Sequence, residues 1–346
     1  MKIGLVVTTP AKEIGNFKDL FDSIKSMGFE GIGFRSLLQL SETLDPSELH
    51  AAHQYAGELG LFLDFGLGWV NPFTALTKPE IWALGEGDYC RAVERQLGAA
   101  QAMACKEIVG EIAGVKGPYR GRYAFDRFRT DVPWGEQLSA SENFLLKMRP
   151  ILAGFGMRID LENHEDLTTH ELLRLVEKMG DAYLGFTLDV ANLTVMGEAP
   201  VEGSLRLAPC VHLVHVKDIF LIPTEKGLLR QMRPAGEGVI DWESILTEVY
   251  RHDPNVHLLV EDHKGQIQID VHDLQWRTHF PELDEKEIAA LLELAEKSRQ
   301  RVQRGEIEAP ESYEAMSYLN QRVQRLTSAL NYLKSLRANH KLFDQV

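Results

Sequence analysis

A barrel of eight parallel strands, each followed by a helix, is the fold class that this sequence predicts. Short β-rich runs alternate with helix-length amphipathic segments from residue 2 to about residue 300, and eight such pairs occur. The 346 residues leave room for a ~250-residue (β/α)8 TIM barrel with insertions and a tail. A doubly wound open sheet fits less well, because no GxGxxG turn follows the first strand.

Taken in order, Ile3–Thr8 is a β-branched strand, followed by an amphipathic helix at Phe17–Met27. Gly31–Arg35 is the second strand, and Pro46 opens the helix that runs to Leu59. Phe62–Leu67 and a helix at Asp88–Ala104 form the third unit; Glu107–Ala113 and Ser141–Phe155 form the fourth. Helices ending at Gly60 and Gly156 have the residue that tolerates a left-handed cap. The last four units are Arg158–His164 with Thr169–Met179, Leu184–Val190 with Val201–Ala208, Val211–Asp218 with Trp242–Tyr250, and His257–His263 with Asp284–Arg304. Long connections at 114–140, 219–241 and 264–283 follow strands, on the face where such barrels keep their active sites, and are candidate lids. The expected division is a barrel domain at 1–304 and a helical extension at 305–346. In the extension Met316, Leu319, Val323, Leu326, Leu330 and Leu333 recur every three or four residues. That spacing predicts one long helix packed on the barrel or on a partner subunit, a route to a homo-oligomer.

Composition limits the function classes. With 44% hydrophobic and 25% charged residues, and no apolar stretch near ~18 residues, neither a membrane span nor a membrane partner is expected. The opening MKIGLVVTTP lacks the pattern of a signal peptide. Cys90, Cys105 and Cys210 form no CxxC, which suits a reducing compartment, so a cytoplasmic location is expected. A net charge of −14 argues against a nucleic-acid partner, since phosphate binding needs Lys and Arg.

Chemistry concentrates at four strand ends. Glu162, Asp189, His215 and Glu261 each close an apolar run, in RIDLENH, LGFTLDV, VHLVHVKD and HLLVEDH. Singly, such residues cap helices, pair with cations or sit satisfied in a core. Alternation along the strands sends all four inward when Leu161, Leu188, Val214, Val216 and Val260 face the helices. Three carboxylates and one imidazole make a site for one divalent ion, with a donor set that accepts Mg²⁺, Mn²⁺, Co²⁺ or Zn²⁺. The same alternation places His164, Lys217 and His263 two residues on, as proton-transfer or electrophile candidates. An ion chelated by a carbonyl and its neighbouring hydroxyl would stabilise an enediolate, with Glu162 and Glu261 as paired acid and base. Arg35 suits a carboxylate or phosphate, and Glu111 a substrate contact or a partner to a ligand. The arginine-rich YRGRYAFDRFR, residues 119–129, is either an anion clamp or, more in keeping with its composition, a loop of solvated arginines.

These pieces resemble the xylose-isomerase-like TIM-barrel superfamily, the sugar phosphate isomerase and epimerase group. LENHED, FTLDVANL, HLVHVKD, GEGVIDW at Gly236–Trp242 and LLVEDH carry the resemblance, which covers roughly residues 1–300. It implies one bound ion, Mn²⁺ first, on Glu162, Asp189, His215 and Glu261, and a small carbohydrate or sugar-acid substrate. Glu162, Glu261, His164 and Lys217 would be catalytic, and Arg35, Glu111, His263 and Asn192 would contact the substrate. Arg35 stands where many isomerases of the group carry Glu. ENHED, VKD and the long tail look closer to a subgroup with 3-oxo-sugar-acid decarboxylases and catalytic subunits of C-glycoside deglycosidases. The expected activity is therefore a metal-dependent sugar isomerase or epimerase, with a carbon–carbon lyase of the same superfamily as the alternative. Apurinic endonucleases share the superfamily, but strands two and three here lack the extra His ligands of their three-zinc cluster. A barrel that only binds a sugar or a partner is the non-enzymatic reading.

Overall fold

Each of the eight apolar runs is a strand in the computed structural model, which describes residues 1–8, 15–75, 79–112, 122–123, 125–128 and 130–339. The strands are β1 (Ile3–Val7), β2 (Gly31–Phe34), β3 (Phe62–Trp69), β4 (Glu107–Glu111), β5 (Arg158–Glu162), β6 (Leu184–Asp189) and β7 (Val211–Val216). A hairpin of β8 (Asp218–Thr224) and β9 (Gly227–Arg233) comes next, followed by β10 (His257–Val260) and β11 (Gln266–Ile269). The barrel closes in the order β1-β10-β7-β6-β5-β4-β3-β2. Its strands are buried on both faces, which is why they read as nearly continuous apolar runs. β6, LGFTLD, is buried at every position.

The eight crossover helices are α1 (Phe17–Ser26), α2 (Pro46–Leu59), α3 (Tyr89–Ala102), α4 (Trp134–Phe155), α5 (Thr169–Met179), α6 (Pro200–Leu207), α7 (Trp242–His252) and α8 (Glu285–Gln303). Caps agree with the sequence: Asp45, Asp88, Asp241 and Asp284 accept backbone N–H groups of α2, α3, α7 and α8, and Gly60 and Gly156 end α2 and α4 at φ 68° and 64°. Helix α4 starts seven residues before the predicted Ser141, because a buried Gln137 fixes its first turn. The Gln137 amide accepts from Asn71 Nδ2 at 3.0 Å and donates to Val132 O at 2.8 Å, contacts that periodicity does not encode. Among the described residues no helix is long and apolar enough to cross a membrane.

Two compact units can be distinguished. One comprises Lys2–Leu167 with Glu171–Thr187. Within it Phe21 and Ile24 of α1 are buried, each contributing roughly 1.5–3 kcal/mol, and Phe34 and Phe65 stack at 5.6 Å. Arg127 departs from the expectation of a solvated arginine: it is 1% exposed, with Nη2 on Glu171 Oε2 at 2.6 Å and Nε on Asp166 O at 2.7 Å. Arg120 and Arg129 of the same stretch lie outside the described residues.

The other unit comprises Met1, Thr168–His170 and Leu188–Val346. Two of the three long connections contribute strands here: β8, β9 and β11 form a three-stranded antiparallel sheet. The third connection lies partly outside the described residues. Asp218 ties the hairpin to the GEGVIDW turn, accepting from Gly236 N at 3.0 Å, Ile240 N at 3.1 Å and Trp242 Nε1 at 3.3 Å. Burial pushes its carboxyl up to about 6 against these hydrogen bonds. The extension forms α9 (Pro310–Ala315) and α10 (Tyr318–Asn339). The apolar stripe divides along α10: Leu326, Leu330 and Leu333 are buried, while Leu319 and Val323 are 76% and 70% exposed. Tyr318 and Arg325 make the inward contacts of the first half of α10, which turns Leu319 and Val323 outward.

Candidate metal centre

Asp189, at the end of β6, begins a short helical turn at Val190–Leu193, and its Oδ1 accepts from Ala191 N at 3.1 Å. Its Oδ2 accepts from Asn192 Nδ2 at 2.7 Å, and Asn192 Oδ1 in turn accepts from Arg230 Nη1 at 3.0 Å. Asn192, expected to touch substrate, thus has its amide engaged in aiming Asp189. Arg230 carries no sequence signal of this role. It lies in β9, within a stretch read as a loop, where a charged residue looks solvated; its burial is set by the hairpin.

His215 comes from β7, and its Nδ1 lies 3.8 Å from Glu261 Oε2. Glu261 follows β10, where its N–H continues the barrel ladder by donating to Val216 O at 3.2 Å. Lys217 Nζ reaches Asp189 Oδ2 and Glu261 Oε2 at 2.5 Å each, and its side chain is 4% exposed. The Glu162, Asp189, His215 and Glu261 side chains each offer one ligand atom, and these four atoms lie within 4.8 Å of one another. All four residues are at most 7% exposed.

This arrangement fits a divalent ion. The ligand atoms lie no further apart than about twice a metal–oxygen bond of ~2.0–2.6 Å, and the donors are three hard oxygens and an imidazole nitrogen. Lys217 brings positive charge to two of these carboxylates, Asp189 and Glu261.

The remaining candidates differ in exposure and contacts. His263 is half-buried, with Nδ1 3.2 Å from Lys264 O. A carbonyl only accepts, so Nδ1 carries the proton and Nε2 is left as an acceptor. Burial, then the Lys217 charge, lowers its pKa to about 4, so the ring is neutral at pH 7. His164 is half-buried, one residue beyond Asn163. Arg35 is exposed just past β2. Glu111, at the end of β4, accepts from Trp69 Nε1 at 3.3 Å, an orienting contact from β3.

Comparison with known proteins follows the same lines. A family model described as xylose isomerase-like TIM barrel matches residues 21–299. Among solved structures, a D-psicose 3-epimerase superposes with a TM-score of 0.57 at 16% identity, covering 87% of this chain and 97% of that one. A 3-keto-D-glucoside 4-epimerase of Escherichia coli gives 0.55 at 16% identity, covering 84% and 98%. At such identities the likeness is one of fold. An uncharacterized protein of Escherichia coli K12, YihM, is 30% identical over 112 residues, 32% of this chain and 34% of that protein, so the match spans about a third of the relative's length.

Proposed function

The chain belongs to the xylose isomerase-like TIM barrel family, and on that premise we propose that it is a divalent-metal-dependent isomerase or epimerase of a sugar or sugar derivative. The observation that carries this reading is the convergence of Glu162, Asp189, His215 and Glu261 within 4.8 Å. These four would hold the ion, Mn²⁺ first. When bound, the ion supplies a Lewis acid for charge developing on adjacent carbonyl and hydroxyl oxygens.

The protein's own groups do the rest. Glu162 and Glu261, from different strands, act as the acid and base that move the proton at the substrate carbon. Asp189, held by Ala191 N and Asn192 Nδ2, keeps its oxygens fixed, so little reorganisation accompanies the reaction. Lys217 Nζ donates to oxygen where negative charge accumulates, and neutral His263 accepts through Nε2. Burial excludes bulk water from the carboxylates and strengthens each of these contacts.

The test is incubation of Mn²⁺-loaded protein with ketoses in D₂O and, separately, with 3-oxo sugar acids. Epimerisation with deuterium entering at the inverted carbon is the expected result. CO₂ release without deuterium in recovered sugar would replace the epimerase reading with a lyase. Protein that carries no metal when purified without chelator, and is unresponsive to Mn²⁺ or Co²⁺, would leave a barrel that only binds.

A further inference from the structure

The extension beyond α8 closes on the residues next to Glu261. Arg325 of α10 forks onto Asp262, with Nε 3.0 and 2.8 Å from Oδ1 and Oδ2 and Nη2 2.6 Å from Oδ1. The same Nη2 donates to His263 O at 3.1 Å, and Tyr318 Oη donates to Asp262 O at 2.8 Å. From the other side, Lys264 Nζ donates to the carbonyls of Tyr313, Glu314 and Met316 at 2.6, 3.0 and 2.7 Å. Both side chains of the Arg325–Asp262 pair are buried, at 4% and 3% exposure.

Barrel pairing continues through Glu261 N, and Asp262, the next residue, turns to Arg325 of α10. A bidentate grip on Asp262 therefore sets the roll of the chain that carries both neighbours. Burial makes the grip stiff, because either partner alone would be an uncompensated charge away from water.

We propose that Arg325 is a positioning residue for the metal centre: by clamping Asp262, the C-terminal extension aims Glu261 and His263 at the reacting atoms. The proposal rests on Glu261 being a metal ligand. Arg325 touches neither ion nor substrate; it acts through Asp262.

The test compares Arg325→Lys, which keeps the charge and loses the fork, with the paired variant Asp262→Leu/Arg325→Met, which removes both charges together and so leaves none uncompensated. Leu330→Ala, a cavity five residues further along the same helix, is the stability control. Mn²⁺ affinity by calorimetry should fall ~10–100-fold in the first two, as for other groups that orient a ligand, and the visible spectrum of the Co²⁺ forms should shift. Leu330→Ala should lower the melting temperature while keeping wild-type affinity and spectrum. Folded Arg325→Lys or paired variant with wild-type affinity and spectrum overturns the clamp, as does an equal loss in Leu330→Ala. Wild-type protein that binds neither ion overturns the metal reading, and the clamp with it.

Discussion

Replacing Lys217 by methionine removes an ammonium 2.5 Å from both Asp189 Oδ2 and Glu261 Oε2 and keeps most of the apolar stem. In metal-free protein the carboxylates of the centre, with ligand atoms within 4.8 Å of one another, then face each other without it. Removing one partner of a buried ion pair costs about 3–5 kcal/mol. Unfolding entropy of ~2.1 cal/mol/K per residue over 346 residues is roughly 0.7 kcal/mol/K, which turns this into a melting temperature lower by about 4–7 °C. The assay is calorimetry of EDTA-treated wild type and Lys217→Met, repeated with excess Mn²⁺. Bound ion should stabilise the variant at least as much as wild type, since the ammonium no longer competes for Asp189 and Glu261. An unchanged melting temperature in the metal-free variant, or stabilisation by Mn²⁺ in wild type alone, would refute the reasoning.

Glu162→Gln and Glu261→Gln should remain folded and lose deuterium exchange into substrate by more than 100-fold, the upper part of the range for a lost acid or base being ~10⁴; retained exchange in either removes that residue from the acid–base pair. Burial pushes the Glu198 carboxyl up to about 7 from 4.5. The folded state then keeps a proton that the unfolded chain has released, so stability falls as pH rises from about 4.5 to about 7. Glu198→Gln removes that loss, and its melting temperature relative to wild type should climb across the window; a constant offset in the pH series would contradict this. A Cβ at Gly238 would meet Asp218 Oδ1 at 2.0 Å and Ile219 O at 2.5 Å, so Gly238→Ala should destabilise by about 1–3 kcal/mol in denaturant titrations. Wild-type stability in that variant would show that the turn yields without cost.

The barrel was legible because each of its strands is buried on both faces. An apolar run of five to eight residues between amphipathic helices has few other interpretations. The small sheet was harder to see. A turn signal was present in Thr224-Glu225-Lys226-Gly227, and Thr224 pairs with Gly227 across it, but Pro223 interrupts the apolar run before it and GLLRQMR after it mixes charged and apolar residues, so the stretch reads as a loop. The four candidate ligands share one place at strand ends and one parity, so sequence brought them together. Arg230, Asp262 and Arg325 share no such regularity. Arg325 is 63 residues from Asp262, and inside a helix it resembles any exposed arginine.

Sequence alone determined the barrel, its helices and the quartet of candidate metal ligands, because periodicity and alternation are local properties that a chain carries wherever it folds. Tertiary structure decided which charges are buried and what holds them: Lys217 between Asp189 and Glu261, Arg127 on Glu171, Asp218 under the GEG turn and Arg325 on Asp262. The cost of a buried charge depends on partners that close packing brings in from distant segments, and no local pattern encodes that.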